Sequence, residues 1–361
     1  MTDAAAAAGD SAATTVGAAA AAGAAAAAGA AGTPRLTVIG EALVDLVPGA
    51  GPAWYQAKPG GSPFNVAIGL ARLGHRSTLM ARLAGDGFGT LLRAHAAAEN
   101  VDLARAPLAA EPTTLAVAEL DHDARASYTF YLQGTADWQW TDEETARLPG
   151  DTAVFHMGSL ATWLPPGDDR IHAAATGLHR TGEVLISYDP NIRPALLHEP
   201  ARARPLVERS VRVAHVVKAS RDDAGWLYPG ASLEQVSGRW LDLGALLVVI
   251  TDGPRGAYLC RPGAAPAHSP GRAVRVVDTI GAGDAFTAGL LGGLARRGLQ
   301  SPERLRRCPS PTLAEAVDEA VLISALTCER VGADPPFDLT RSRRNPRDPL
   351  TPADLGFKPR P

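Results

Sequence analysis

The chain has 361 residues, 46% of them hydrophobic and 20% charged, which is enough to bury the core of one large α/β domain or two smaller ones. Its formal net charge of −3 supplies no basic field to draw in nucleic acid or an anionic membrane surface, so a small-molecule partner is expected. Three cysteines, Cys260, Cys308 and Cys328, lie far apart without metal spacing, which points to a reduced compartment, the cytoplasm, rather than a disulfide framework.

Residues 1–34 are alanine runs broken by glycines, with Asp3 and Asp10 but no Lys, Arg, Leu, Ile or Phe. That composition predicts a disordered tail rather than a secretory signal. No later run of about twenty strongly apolar residues predicts a membrane span. From Arg35, "RLTVIGEALVDLVP" reads as a buried first strand, and "PFNVAIGLARLG" as a helix stopped by Gly74. "STLMARLAG" and "GFGTLLRAHAAAEN" repeat the strand and helix pattern. Two strand-like segments, 113–120 and 126–133, then follow with only the turn "DHDAR" between them, so a hairpin lid is expected over 113–133.

The helical rhythm resumes with "AVFHMGSL", "EVLISYDPN", "AHVVKAS" and "LLVVITDG", short apolar runs that end in polar residues and predict a mostly parallel sheet flanked by helices. In such sheets the carboxyl ends of the strands line the ligand crevice, here Asp45, Ser159, Asp189, Asn191, Ser220 and Asp252. Two helices close the domain near residue 337, and 338–361 reads as a loose Pro- and Arg-rich tail.

The chemistry concentrates in "VVDTIGAGDAF", residues 276–286. Gly281, Ala282 and Gly283 open a helix and offer backbone N–H groups where an oxyanion could sit, beside the carboxylate of Asp284. Alone, Asp284 reads as a helix cap. With those amides as neighbours it becomes a base whose ionised form the helix dipole favours by roughly 0.3–1 kcal/mol. Phosphoryl transfer needs both halves, donors for the moving group and a carboxylate for the attacking hydroxyl. A Walker A loop is excluded, because none of the lysines, Lys58, Lys218 and Lys358, follows a GxxxxG stretch.

"DTIGAGDAF" and "GGSPFNVAIGLARLG" together resemble the two signatures of ribokinase-like, PfkB-type carbohydrate kinases, over about residues 36–337. "GEALVDLVP", "SYDPNIRP", "VVKAS" and "ALTCERVGADPP" are most similar to the fructokinase branch. The resemblance implies a ribokinase-like α/β fold and transfer of the γ-phosphoryl of Mg-ATP to a sugar primary hydroxyl, with fructose as first candidate and 2-keto-3-deoxygluconate, ribose or another polyol as alternatives. It implies Asp284 as catalytic base and the 281–283 turn as anion hole. Asp45, Gly60, Gly61 and Asn65 would hold the sugar, and Arg193 would lie near phosphate. Thr251, Gly253 and Gly256 of "TDGPRG" would meet the nucleotide, as would Ser220. Asp223 would organise Mg2+ through water, and Asp278 with the Ile280 carbonyl would hold a monovalent cation such as K+. A homodimer through the lid is implied as well.

Two departures stand out. Ser220 and Asp223 replace the Asn and Glu of the usual NxxE motif, and Leu132 stands where relatives carry an Arg after Phe-Tyr. Readings from other classes are a sugar-binding regulator on an inactive kinase fold and a Rossmann-type oxidoreductase. "GDGFG" at 85–89 invites the latter, but Thr90 occupies the third glycine's place, and a turn is expected.

Overall fold

In chain order the strands of the computed structural model are β1 (Arg35–Ile39), β2 (Leu43–Pro48), β3 (Tyr55–Gly60), β4 (Arg76–Met80), β5 (Leu83–Ala84), β6 (Leu108–Ala109), β7 (Leu115–Leu120), β8 (Ala126–Tyr131), β9 (Thr152–Gly158), β10 (Leu185–Asp189), β11 (Val216–Ser220), β12 (Leu247–Thr251), β13 (Gly256–Cys260) and β14 (Ala267–Pro270). The principal helices are α1 (Ser62–Arg72), α2 (Gly87–Ala98), α3 (Gly167–Thr181), α4 (Pro200–Val211), α5 (Arg221–Leu227), α6 (Leu233–Asp242), α7 (Ala282–Arg296) and α8 (Ser310–Cys328). The structure describes residues 33–49, 51, 54–120 and 126–337; residues 1–32 of the alanine-rich tail, the "DHDAR" turn and the tail from 338 lie outside the described residues.

The apolar runs form an eight-stranded sheet in the order β14-β13-β12-β11-β10-β9-β1-β4. From β12 to β4 every pairing is parallel, and β13 and β14 add an antiparallel edge. Helices cover both faces, so alternate strand residues feed two cores. Val154, Leu185, Val216 and Leu247 join Phe64, Phe286 and Leu291 on one side, while Phe155, Ile186, Val217 and Val248 join Trp163, Tyr188 and Trp240 on the other. Trp138 and Trp140 of "DWQW" are buried in the second core as packing residues. "GDGFG" is a helix entry: Asp86 accepts from the Gly89 N–H at 2.8 Å and caps α2.

The stretch read as one first strand is two. β1 lies in the central sheet, and after Gly40-Glu41-Ala42 the chain enters a second, four-stranded sheet as β2. That sheet runs β3-β2-β7-β8, so the expected 113–133 hairpin is only half of the lid. β2 is hidden because it continues the apolar run of β1, and β3 because "YQAKPG" is mostly exposed and carries a proline next to its end. Register gives the lid two faces: Asp45 aligns with Lys58, Ala116 and Phe130, while Val44 aligns with Pro59, Leu115 and Tyr131. Among the described residues no helix is long and apolar enough to cross a membrane.

Candidate active site

At the carboxyl ends of β1, β9 and β10, under the Asp45 face of the lid, lies a cleft of about 370 Å³. Of the residues singled out in the sequence, Asp45, Gly61, Asn65, Ser159, Asn191, Arg193, Ile280, Gly281, Gly283 and Asp284 line it. Residues 222 and 219 positions apart meet in its wall: Ser62 Oγ donates to Asp284 Oδ1 at 2.6 Å, and Asn65 Nδ2 donates to Oδ2 at 2.8 Å. Asp284 therefore does not cap its own helix. Its side chain reaches across to the first turn of α1, where Ser62 and Asn65 stand three residues apart on one face.

The turn before α7 is pinned from behind. The Val277 N–H donates to the Cys328 carbonyl at 2.8 Å, Asp278 accepts from the Ile280 N–H at 3.0 Å and the Gly332 N–H at 2.7 Å, and Ser324 Oγ donates to the Ala282 carbonyl at 2.9 Å. Gly281 has φ 74°, and a Cβ there would fall 2.5 Å from that of Ala333, so this position admits only glycine. The sequence reading aims all three amides of 281–283 into the site. In the structure the Ala282 N–H turns back to the Thr279 carbonyl at 3.3 Å, while those of Gly281 and Gly283 have no acceptor among the described residues. Both of these glycines line the cleft and Ala282 does not.

The dipole argument predicts an Asp284 carboxyl held below its ordinary pKa, and here the structure reverses the direction. Asp284 is half-buried, yet crowding around the carboxyl pushes its pKa up; Ser62, Asn65 and Lys218 oppose that rise and Asp189 adds to it. Desolvation outweighs the roughly 0.3–1 kcal/mol that a helix end supplies. Burial also raises Asp45 to about 6, against Arg193 and with Asp284, and raises Glu41 to about 7, against Ser159, the Ala161 N–H and Arg193. Gly60 ends β3 so close to Asp45 that any side chain there would displace the carboxylate. Arg193 Nη1 donates to Asn191 Oδ1 at 2.7 Å, and Asn191 Nδ2 to Ser159 Oγ at 3.2 Å. Ser159 and Asn191 both hold positive φ, 56° and 40°, at the ends of neighbouring strands, a strain typical of binding walls.

The remaining sequence candidates lie further along the row of strand ends. Ser220 and Thr251 are register partners at the ends of β11 and β12. Ser220 and Asp223 form a capping box on α5, and the other Asp223 oxygen accepts from the Ile192 N–H at 2.9 Å. Burial raises the Asp223 carboxyl, with Asp189 adding to the rise. Gly253 faces open space, whereas Gly256 is buried against the backbone of residues 269–271. Between the two groups of strand ends stands Lys218 of β11, whose Nζ donates to Asp189 Oδ2 at 2.7 Å.

Sequence reasoning missed Ser62, Glu41 and Lys218 as site residues. Ser62 carries a readable signal, one helical turn from Asn65 inside the same motif, and Lys218 another, a lone charge in the apolar run "AHVVKAS". From the lid, Tyr128 and Phe130 line the cleft; Leu132, at the place of the expected Arg, packs against the second core.

Residues 33–339 match the family described as pfkB family carbohydrate kinase. A fructokinase of Klebsiella pneumoniae is 34% identical over 289 residues, 78% of this chain and 90% of that protein. A double mutant of the fructokinase of Vibrio cholerae, solved with fructose, ADP and potassium ion, superposes with a TM-score of 0.73 at 30% identity, over 83% of this chain and 94% of that one. The aminoimidazole riboside kinase of Salmonella enterica, solved with aminoimidazole riboside and an ATP analogue, gives 0.70 at 27% identity, over 83% and 95%.

Proposed function

The chain belongs to the pfkB family of carbohydrate kinases, and from that premise we propose that it transfers the γ-phosphoryl group of Mg-ATP to the primary hydroxyl of fructose, giving fructose 6-phosphate. The observation that carries the reading is the meeting of Asp284 with unclaimed turn amides at the wall of a sugar-sized cleft. In this reading Asp284 takes the proton of the attacking hydroxyl. The Gly281 and Gly283 amides, at the positive end of a 15-residue helix, hold oxygens of the transferring group. Asp45, Asn65 and the backbone at Gly60 and Gly61 hold sugar hydroxyls, and Tyr128 and Phe130 exclude water from above.

The acceptor end of the cleft favours an uncharged sugar. Among the described residues lining it, three carboxyls, Glu41, Asp45 and Asp284, stand against a single cation, Arg193, whose Nη1 is engaged by Asn191 and the Ile192 carbonyl. That balance argues against a keto-acid such as 2-keto-3-deoxygluconate, in agreement with the fructose held by the Vibrio relative. Bound Mg-ATP would supply the phosphoryl group and the metal charge that offsets its oxygens. The residues present fit it: Gly253 leaves room over the ends of β11 and β12, and Asp223, with both oxygens on backbone N–H groups, suits an outer role toward a hydrated Mg2+. The Ile280 carbonyl, unclaimed among the described residues, and the spare lone pairs of Asp278 fit a K+ ion. Three free cysteines suit the cytoplasm.

The outer lid face supports pairing with a second copy. Tyr131 and Tyr55, 59% and 47% exposed, lie on the face opposite Asp45. Light scattering should find a dimer that Tyr131→Glu converts to monomer. The function itself is tested by ADP release over a sugar panel, with fructose expected to lead and the deoxy-keto-acid to fail; release independent of any sugar would contradict it.

A further inference from the structure

Lys218 is one of three lysines among 35 Lys and Arg residues, and it sits inside a strand whose Val216, Val217 and Ala219 pack in the cores. It and Asp189 are nearly sealed from solvent, with side-chain exposures of 6% and 2%. Desolvating two charges largely offsets their attraction, so stability alone does not account for a buried pair. Its position does. Thr287 of α7 reaches the same Asp189 oxygen at 3.5 Å, and Lys218 Nζ lies 3.2 Å from the place a Gly283 Cβ would occupy, directly under the turn that carries Asp284.

We propose that Lys218, clamped by Asp189 beneath the 281–284 turn, is a positioning residue: the fixed positive charge that keeps the Asp284 carboxylate ionised and ready for the acceptor proton. The inference rests on the kinase reading of Asp284. Burial works against charge on both groups, yet Lys218 keeps its proton because Asp189, Asp223 and Asp284 surround it. Facing Asp284 from the elements around it are Ser62 and Asn65 of α1, Asp45 of β2, Asp189 of β10 and Lys218 of β11. Glu41, Arg193 and Tyr128 share the cleft wall. Of the cations among these, Lys218 acts most strongly on Asp284, and its attraction exceeds the repulsion from Asp189.

The sign of the test follows. In Lys218→Met, Asp189 either keeps its charge or takes up a proton; both leave Asp284 with a less positive neighbourhood than before. Infrared titration of the ligand-free protein, each background subtracted from its own Asp284→Asn counterpart, reads the Asp284 midpoint without turnover. The midpoint should rise by about one pH unit in Lys218→Met and also in Lys218→Met/Asp189→Asn, where no charge is left buried alone. The acid limb of kcat should move up with it while the KM for sugar stays within about twofold. An unmoved midpoint in the double variant overturns the proposal, even if its melting temperature falls. Because the titration needs no substrate, a wild type inactive on sugars would defeat the kinase reading and leave this result standing.

Discussion

In the central sheet β10 buries every residue and β12 all but its last, while in the lid β3 buries only its final glycine and β2 its first two positions. The charged groups that must keep a fixed potential follow that division: Asp189, Lys218 and Asp284 stand on the central sheet or on α7, against two cores. The lid brings Asp45, Tyr128 and Phe130, which line the cleft and, in the proposed kinase, need only shape and hydrogen bonds toward a sugar. The contrast teaches that this cleft is electrostatically built from below and sterically built from above. Changes on the lower side should therefore act on turnover, and changes on the upper side on sugar affinity.

The largest expected effect comes from below. Asp284→Asn keeps its place between Ser62 and Asn65 but cannot accept a proton, so kcat should fall about 10²- to 10⁴-fold with sugar binding retained by calorimetry. Full turnover would erase the distinction between the two sides. Asp45→Asn, on the lid, should leave kcat within a few-fold and raise the KM for fructose about tenfold to a hundredfold, the cost of weakening hydrogen bonds to a charged acceptor. A collapse of kcat with an unchanged KM would place Asp45 on the lower side instead.

The smallest effect concerns pH. Glu41 gives up its proton near its ordinary 4.5 in the unfolded chain but holds it to about 7 when folded. Stability from this group is thus present at low pH and lost as pH rises from 4.5 through 7. His156 and His215, pushed down from 6.5 to about 4 by burial, act in the opposite sense over 4 to 6.5. Subtracting variants isolates the first: Glu41→Gln should gain melting temperature relative to wild type between pH 5 and pH 7.5. A parallel pair of curves would mean that Glu41 ionises freely in the fold.

What the sequence makes legible follows the same division. Fully buried parallel strands announce themselves as apolar runs, so β9 to β12 and the polar residues at their ends are readable one at a time. The half-exposed lid is not: β2 continues the apolar run of β1 although it belongs to another sheet, and β3 carries Lys58 and Pro59. Within the site, Asp284, Asn65 and the glycine turn are visible because they share short motifs. That Asp284 bonds to Ser62, and that Lys218 lies under Gly283, depends on helix and strand packing across more than sixty residues, which local patterns do not encode. The raised Asp284 carboxyl is hidden for the same reason, since burial is a property of the packed fold.

The most direct test is a crystal structure with fructose, ADP and a planar metal-fluoride mimic of the transferring phosphoryl. The sugar's primary hydroxyl should lie about 3 Å from an Asp284 oxygen, with the mimic's fluorides on the Gly281 and Gly283 amides. A sugar bound with Asp284 turned away from that hydroxyl, or a mimic held elsewhere than on the turn, would contradict the account.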